Sequence, residues 1–237
     1  MAFEGLVMSV QRNTYLFIGD SVTETGRLSD PEGLGFGYVR IVADELALQG
    51  IDATVLNRGV GGNRLIDLAA RWQSDCLELS PNLVTIAIGV NDTLRRYDSH
   101  DSTPAADFEA GYRSLLESLR VREADVVIME PFLLPSSPEQ LAWREDLEPK
   151  IKAIHRLAKD FGATLVQSDR ALNTKRSDPD DCALVPDGVH PSAAGHRLLA
   201  SLWLGEVIRR PDRSSRLASG NPASPVRGVA SVAQTPV

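Results

Sequence analysis

The chain has 237 residues, of which 43% are hydrophobic and 24% charged, close to the globular average. That length suits one large domain or two small ones, with a core that needs no disulfide or structural metal. A net charge of -7 and a pI near 5.2 exclude a nucleic-acid scaffold, which needs a basic face against phosphates. No apolar run reaches the ~18 residues of a membrane-spanning helix.

The N-terminal stretch MAFEGLVMSVQRN has an early Glu4 and no basic n-region, so it does not read as a secretory signal. From there, short β-branched runs alternate with amphipathic stretches. The runs are Tyr15–Ile18, Ala53–Leu56, Leu83–Ile88, Asp125–Met129 and Ala163–Val166. Each is bounded by Gly, Asn or Asp, as strands buried on both faces are. Helical periodicity covers Tyr38–Leu48, Leu65–Leu79, Phe108–Leu119, Leu141–Phe161 and about Ser192–Ile208. Strands and helices in this alternation predict an α/β fold, a parallel sheet covered by helices on both faces. From Pro211 to Val237 the chain holds four Pro, five Ser and no aromatic residue, which reads as a disordered tail. The expectation is therefore one domain over 1–210 and a tail over 211–237. The tail carries three Arg and one Asp, so the rest of the chain is at -9. A neutral small molecule is the simplest substrate for such a surface. Cys76 and Cys182 stand far apart with no metal spacing, which predicts two free thiols in a reducing cytoplasm.

In parallel α/β sheets, ligands bind outside the carboxyl ends of the strands. Gly19-Asp20-Ser21 follows the first strand. Asn57-Arg58-Gly59-Val60-Gly61-Gly62-Asn63 follows the second, and Gly89-Val90-Asn91-Asp92 the third. Asp187-Gly188-Val189-His190-Pro191 precedes the last helix. A hydroxyl, a glycine turn, a carboxamide and an Asp-His pair thus converge on one edge. Acyl transfer needs these parts. Serine needs a base to take its proton, and His190 has the right intrinsic pKa. Asp187, three residues earlier, can fix the tautomer of His190. The Ser21 N–H, a glycine N–H and the Asn91 amide can await the oxyanion. Taken singly, each motif is an ordinary turn or helix cap; their joint placement carries the reading.

These residues resemble the SGNH, or GDSL-type, serine hydrolases, over roughly residues 14 to 208. The family's four marker residues match Ser21 in FIGDSVTETGR, Gly62 in NRGVGGNR, Asn91 in IGVNDT and His190 in DGVHPSAAGH. Val22 replaces the Leu of the GDSL quartet, and Gly61 adjoins the marker Gly62. The resemblance implies a three-layer α/β/α sandwich with a five-stranded, flavodoxin-like parallel sheet. It implies a serine esterase that acts through an acyl-enzyme, with no metal and no organic cofactor. Ser21, His190 and Asp187 would form the catalytic triad, and Ser21, Gly62 and Asn91 the oxyanion hole. Gly26-Arg27, Gly37-Tyr38-Val39, Arg71-Trp72 and Glu130-Pro131-Phe132 are similar to an intracellular branch of acetylxylan esterases and other carbohydrate deacetylases. The expected partner is thus a small-molecule ester such as an acetylated saccharide, with no nucleic acid and no membrane insertion. No particular oligomeric interface is predicted. Two alternatives stand beside this one. One is a lysophospholipase or acyl-thioesterase on the same triad; the other is a non-catalytic binding module on a hydrolase fold.

Other side chains have plainer readings. Asp187, His190 and His196 could hold a metal, but acyl transfer uses the first two and His196 falls on the last helix. Asp20 and Asp92 are expected to brace loops by accepting backbone N–H bonds. Trp72 reads as core and Cys76 as buried on a helix. Arg58 and Arg64 read equally as substrate contacts or surface ion pairs, and His100 and His155 as surface or packing residues.

Overall fold

The computed structural model describes residues 13–175 and 184–208. The first twelve residues, Cys182 and the stretch 211–237 lie outside the described residues. The apolar runs form β1 (Asn13–Gly19), β2 (Ala53–Gly59), β3 (Leu83–Ala87), β4 (Asp125–Met129) and β5 (Thr164–Val166). All neighbours pair in parallel, in the order β2-β1-β3-β4-β5. Side chains alternate along a strand, so each run feeds two cores. Tyr15 and Phe17 of β1 pack with α2 (Tyr38–Leu48) and α9 (Ala193–Val207) on one face. Leu16 and Ile18 pack with α3 (Leu65–Ala70), α6 (Ala105–Arg120) and α7 (Pro138–Phe161) on the other. The result is the expected α/β/α sandwich. Each fully buried side chain in these layers contributes ~1.5–3 kcal/mol. The largest, Trp203 of α9, donates its Nε1–H to Thr85 Oγ1 at 2.9 Å, so neither buried polar atom is orphaned.

Three boundaries differ from the sequence reading. First, β2 runs on through Asn57-Arg58-Gly59, paired with Phe17, Ile18 and Gly19. Asn57 tolerates burial there because its amide bonds the Thr23 and Leu34 carbonyls and its Oδ1 accepts the Gly59 N–H. Second, the single helix expected over 65–79 is broken into α3, α4 (Trp72–Asp75) and a 3-10 turn, Leu77–Leu79. The break falls at Arg71 (φ -108°, ψ 6°), whose side chain bonds the sheet edge. Cys76 therefore sits in a junction and not on a helix, fully buried, its thiol pushed up to about 12 by burial. Third, α1 (Ser21–Glu24), α5 (Val90–Asp98) and α8 (Ser168–Lys175) carry too few apolar residues to show a period. Two of them hold site residues.

Candidate active site

β1 connects to β2 on one side, and β3 connects to β4 on the other. A crevice therefore opens beyond the carboxyl ends of β1 and β3. Ser21 opens α1 directly after β1, and Asn91 lies in the first turn of α5 directly after β3. Ser21 is held tightly. Asp20 caps α1, its Oδ1 accepting the Val22 N–H at 3.0 Å. The Ser21 carbonyl accepts from the Thr25 N–H at 3.0 Å and from Thr25 Oγ1 at 3.1 Å. Gly19 is required by close approach: a Cβ there would lie 2.0 Å from the Ala87 carbonyl oxygen.

The last loop brings His190 across. Ser21 Oγ lies 3.1 Å from His190 Nε2, and His190 Nδ1 lies 2.7 Å from Asp187 Oδ2. Asp187 Oδ1 meanwhile accepts the backbone N–H groups of Val189 at 2.9 Å and His190 at 2.7 Å. Partial burial works against its ionisation, but these N–H bonds and the imidazole hold its carboxyl below the usual range. A carboxylate at Nδ1 favours the proton there, which leaves the Nε2 lone pair facing the serine hydroxyl. The loop itself is anchored. Gly188 turns at φ 88°, its carbonyl accepts the Leu134 N–H at 2.9 Å, and Gln140 Nε2 donates to the Asp187 carbonyl at 2.8 Å. Val189 packs with Val90, Leu133, Leu147 and Ile151, a small cluster that ties this loop to α5 and α7. Sequence spacing gave the Asp-His pair; nothing in it pointed to Gln140.

Facing Ser21 is the turn after β2. A Cβ on Gly61 would sit 3.8 Å from Ser21 Cβ, and Gly62 takes a left-handed φ of 77°. Among the described residues, neither the Ser21 nor the Gly62 N–H donates a hydrogen bond. Asn91 Nδ2 donates one of its two hydrogens to the Asn63 carbonyl at 3.0 Å. The Ser21 and Gly62 N–H groups and the second Asn91 Nδ2 hydrogen are thus donors without an acceptor among the described residues, the kind of group an oxyanion needs.

Two carboxylates lie beneath. Burial raises Asp20 from 3.8 to about 7, the Val22 N–H pulling the other way. Burial likewise raises Asp92 to about 6, although Asp92 accepts the Leu65 N–H. Both brace loops as expected. His196 is on α9, turned to another task. Its Nδ1 accepts the Tyr38 N–H at 3.2 Å, it stacks on the Tyr38 ring, and burial lowers it to about 4. Among the described residues, no three His, Cys, Asp or Glu side chains gather as a metal set. Trp72 is core, its Nε1 bonded to Ser118. Arg64 forms ion pairs with Asp67 and Asp101, and Arg58 Nη1 donates to the Asn57 carbonyl at 3.3 Å. His155 pairs with the buried Glu130 carboxylate at 2.5 Å, a partnership the sequence did not indicate.

Residues 17–198 match the GDSL-like lipase/acylhydrolase family. The chain belongs to this family. It is a carboxylic ester hydrolase with the SGNH fold. This GDSL-like hydrolase is 34% identical to the acetylxylan esterase of Geobacillus stearothermophilus, over 81% of its own length and 92% of that protein's. It is 26% identical to esterase TesA of Pseudomonas aeruginosa, over 84% and 90% of the two chains. The crystal structure of the Geobacillus esterase superposes with a TM-score of 0.75 at 32% identity, covering 82% of this chain and 93% of that one. Catalytic mutants of the Geobacillus esterase, with alanine for a serine, an aspartate or a histidine, superpose equally well. In that esterase the aspartate and histidine stand three positions apart, as Asp187 and His190 do here. No helix among the described residues is long and apolar enough to cross a membrane.

Proposed function

We propose that this hydrolase removes acetyl groups from small acetylated saccharides, with Ser21 as nucleophile, His190 as general base and acid, and Asp187 orienting His190. The observation that carries the reading is the continuous path from Ser21 Oγ to His190 (3.1 Å) to Asp187 (2.7 Å). Ser21 attacks the acetyl carbonyl as its proton passes to His190 Nε2. The oxyanion takes hydrogen bonds from the Ser21 and Gly62 N–H groups and from the free hydrogen of Asn91 Nδ2. Collapse breaks the bond to the sugar oxygen, which takes the proton from His190 and leaves as a hydroxyl, and an acetyl-serine remains. Water, deprotonated by His190, then repeats the sequence and releases acetate. The acetylxylan esterase relative supports acetyl as the acyl group and a saccharide as its carrier. A second reading is a lysophospholipase or acyl-thioesterase on the same triad; the likeness to esterase TesA supports ester hydrolysis under either reading. The assembled triad weighs against a non-catalytic binding module. We place the enzyme in the cytoplasm, as one domain over 1–210 followed by a tail, without nucleic-acid partners.

Hydrolysis of acetylated xylo-oligosaccharides, lysophospholipids and acyl-CoAs, run side by side, tests the substrate. Release of acetate from the saccharides, with little turnover of the other two, is expected. A preference for long acyl chains would overturn the acetyl reading in favour of the second.

A further inference from the structure

Arg71 is set between α3 and α4 with its side chain 17% exposed. Its Nη2 donates to the Gly19 carbonyl at 2.9 Å, two residues before Ser21. Its Nη1 donates to the Arg58 carbonyl near the end of β2 at 2.8 Å, and to Asp75 Oδ2 at 2.9 Å. Its Nε donates to Asn63 Oδ1 at 2.7 Å. Asn63 follows Gly62, and the Asn63 carbonyl is the acceptor that holds the Asn91 amide at 3.0 Å. The Gly19 carbonyl also accepts the Val60 N–H at 3.0 Å, which closes the start of the glycine turn onto β1.

We propose that Arg71 is a positioning residue that sets the three oxyanion donors in register, an inference that rests on the roles given above to Ser21, Gly62 and Asn91. One guanidinium joins the strand that delivers Ser21, the turn that delivers Gly62 and, through Asn63, the carboxamide of Asn91. Asp75 neutralises its charge, so the enclosed cation is paired. A helix anchor alone would need one or two of these bonds. The set used here instead ends on the segments that carry Ser21 and Gly62, and reaches the third, that of Asn91, through Asn63. Only a planar fork serves diverging acceptors in this way. Lysine offers three donors at a single point and cannot span the Gly19 carbonyl and the Asn63 amide together. Donor placement matters steeply, since a displacement of about 1 Å can cost ~10²-fold in rate.

The test compares Arg71→Lys and Arg71→Met with Asn63→Ala, which removes only the acceptor of Nε. Three quantities are read: kcat and KM on 4-nitrophenyl acetate, the affinity of a boronic acid that forms a tetrahedral serine adduct, and Tm. For Arg71→Lys, KM should stay within about threefold while kcat and boronate affinity fall together, by ~10–100-fold. Asn63→Ala should show a smaller loss with the same signature. A merely structural role would lower Tm and leave kcat and boronate affinity of the folded enzyme unchanged. That result in Arg71→Lys overturns the proposal, and in Asn63→Ala it does so even where neither Arg71 variant folds. A wild-type enzyme that turns over no acetate ester overturns the esterase roles themselves, and this inference with them.

Discussion

Replacing Asp187 by asparagine separates the tautomer from the loop geometry. Asp187 Oδ1 accepts two backbone N–H bonds, at 2.9 and 2.7 Å, which an amide oxygen can keep. The loop should therefore hold, and stability should change by no more than ~0.5 kcal/mol. Oδ2, however, faces His190 Nδ1 at 2.7 Å. An NH₂ in that place donates, so Nδ1 must accept and the proton moves to Nε2. The nitrogen 3.1 Å from Ser21 Oγ then has no lone pair to take the serine proton. In serine triads this change costs ~10⁴ in kcat, or ~5.4 kcal/mol of transition-state stabilisation. Asp187→Ala behaves differently here, because the Asp187 and His190 side chains are 56% and 57% exposed. Water can enter, accept the Nδ1–H and restore the productive tautomer. We expect ~10³–10⁴-fold loss for Asp187→Asn and only ~10–10²-fold for Asp187→Ala, measured as kcat on 4-nitrophenyl acetate. An asparagine variant as fast as the alanine variant would refute the tautomer reasoning. Either variant within about threefold of wild type would remove Asp187 from the mechanism.

Asp20 should shape the pH dependence of stability. Its folded pKa is raised, so the proton is bound more tightly in the native state; its stabilisation is full below about 4 and is lost as pH rises to about 7. Asp20→Asn keeps a cap oxygen for Val22 and should flatten that fall, which has a limiting slope of ~1.4 kcal/mol per pH unit. Urea unfolding across this range checks it, and identical slopes in the two proteins would show that Asp20 titrates normally. Gly19→Ala should cost ~3 kcal/mol or more, because its Cβ would meet the Ala87 carbonyl at 2.0 Å and force β1 and β3 apart. Thermal unfolding reads this directly, and an unchanged Tm would mean the strands yield at little cost.

The sheet and its layers were legible because Tyr15–Ile18 and the runs like it are apolar on both faces, a pattern few other structures produce. The positions of Ser21, Gly62 and Asn91 were legible because each follows a strand, and the contact of His190 with Asp187 because the two stand three residues apart in one tight turn. Features that depend on long-range partners stayed hidden. Arg71 was marked only by the family likeness of Arg71-Trp72 and otherwise reads as a helical residue four positions from Asp75, yet its bonds reach two strands at the point where the helix breaks. Asn57 looked like the start of a loop, because a buried carboxamide needs acceptors that only the fold supplies. α5 was missed for a related reason. Its Asn91, Asp92 and Thr93 are buried polar residues satisfied by tertiary contacts, so hydrophobic periodicity carries no trace of it.

The central claim is that Ser21 is the nucleophile of an ester hydrolase. It is tested most directly by treating the folded protein with a fluorophosphonate and mapping the adduct by mass spectrometry, beside acetate-ester turnover by Ser21→Ala. The account predicts one adduct on Ser21, lost together with turnover in the Ser21→Ala protein while its Tm is kept. An adduct on another residue, or a Ser21→Ala protein that still hydrolyses the ester at the wild-type rate, would contradict it.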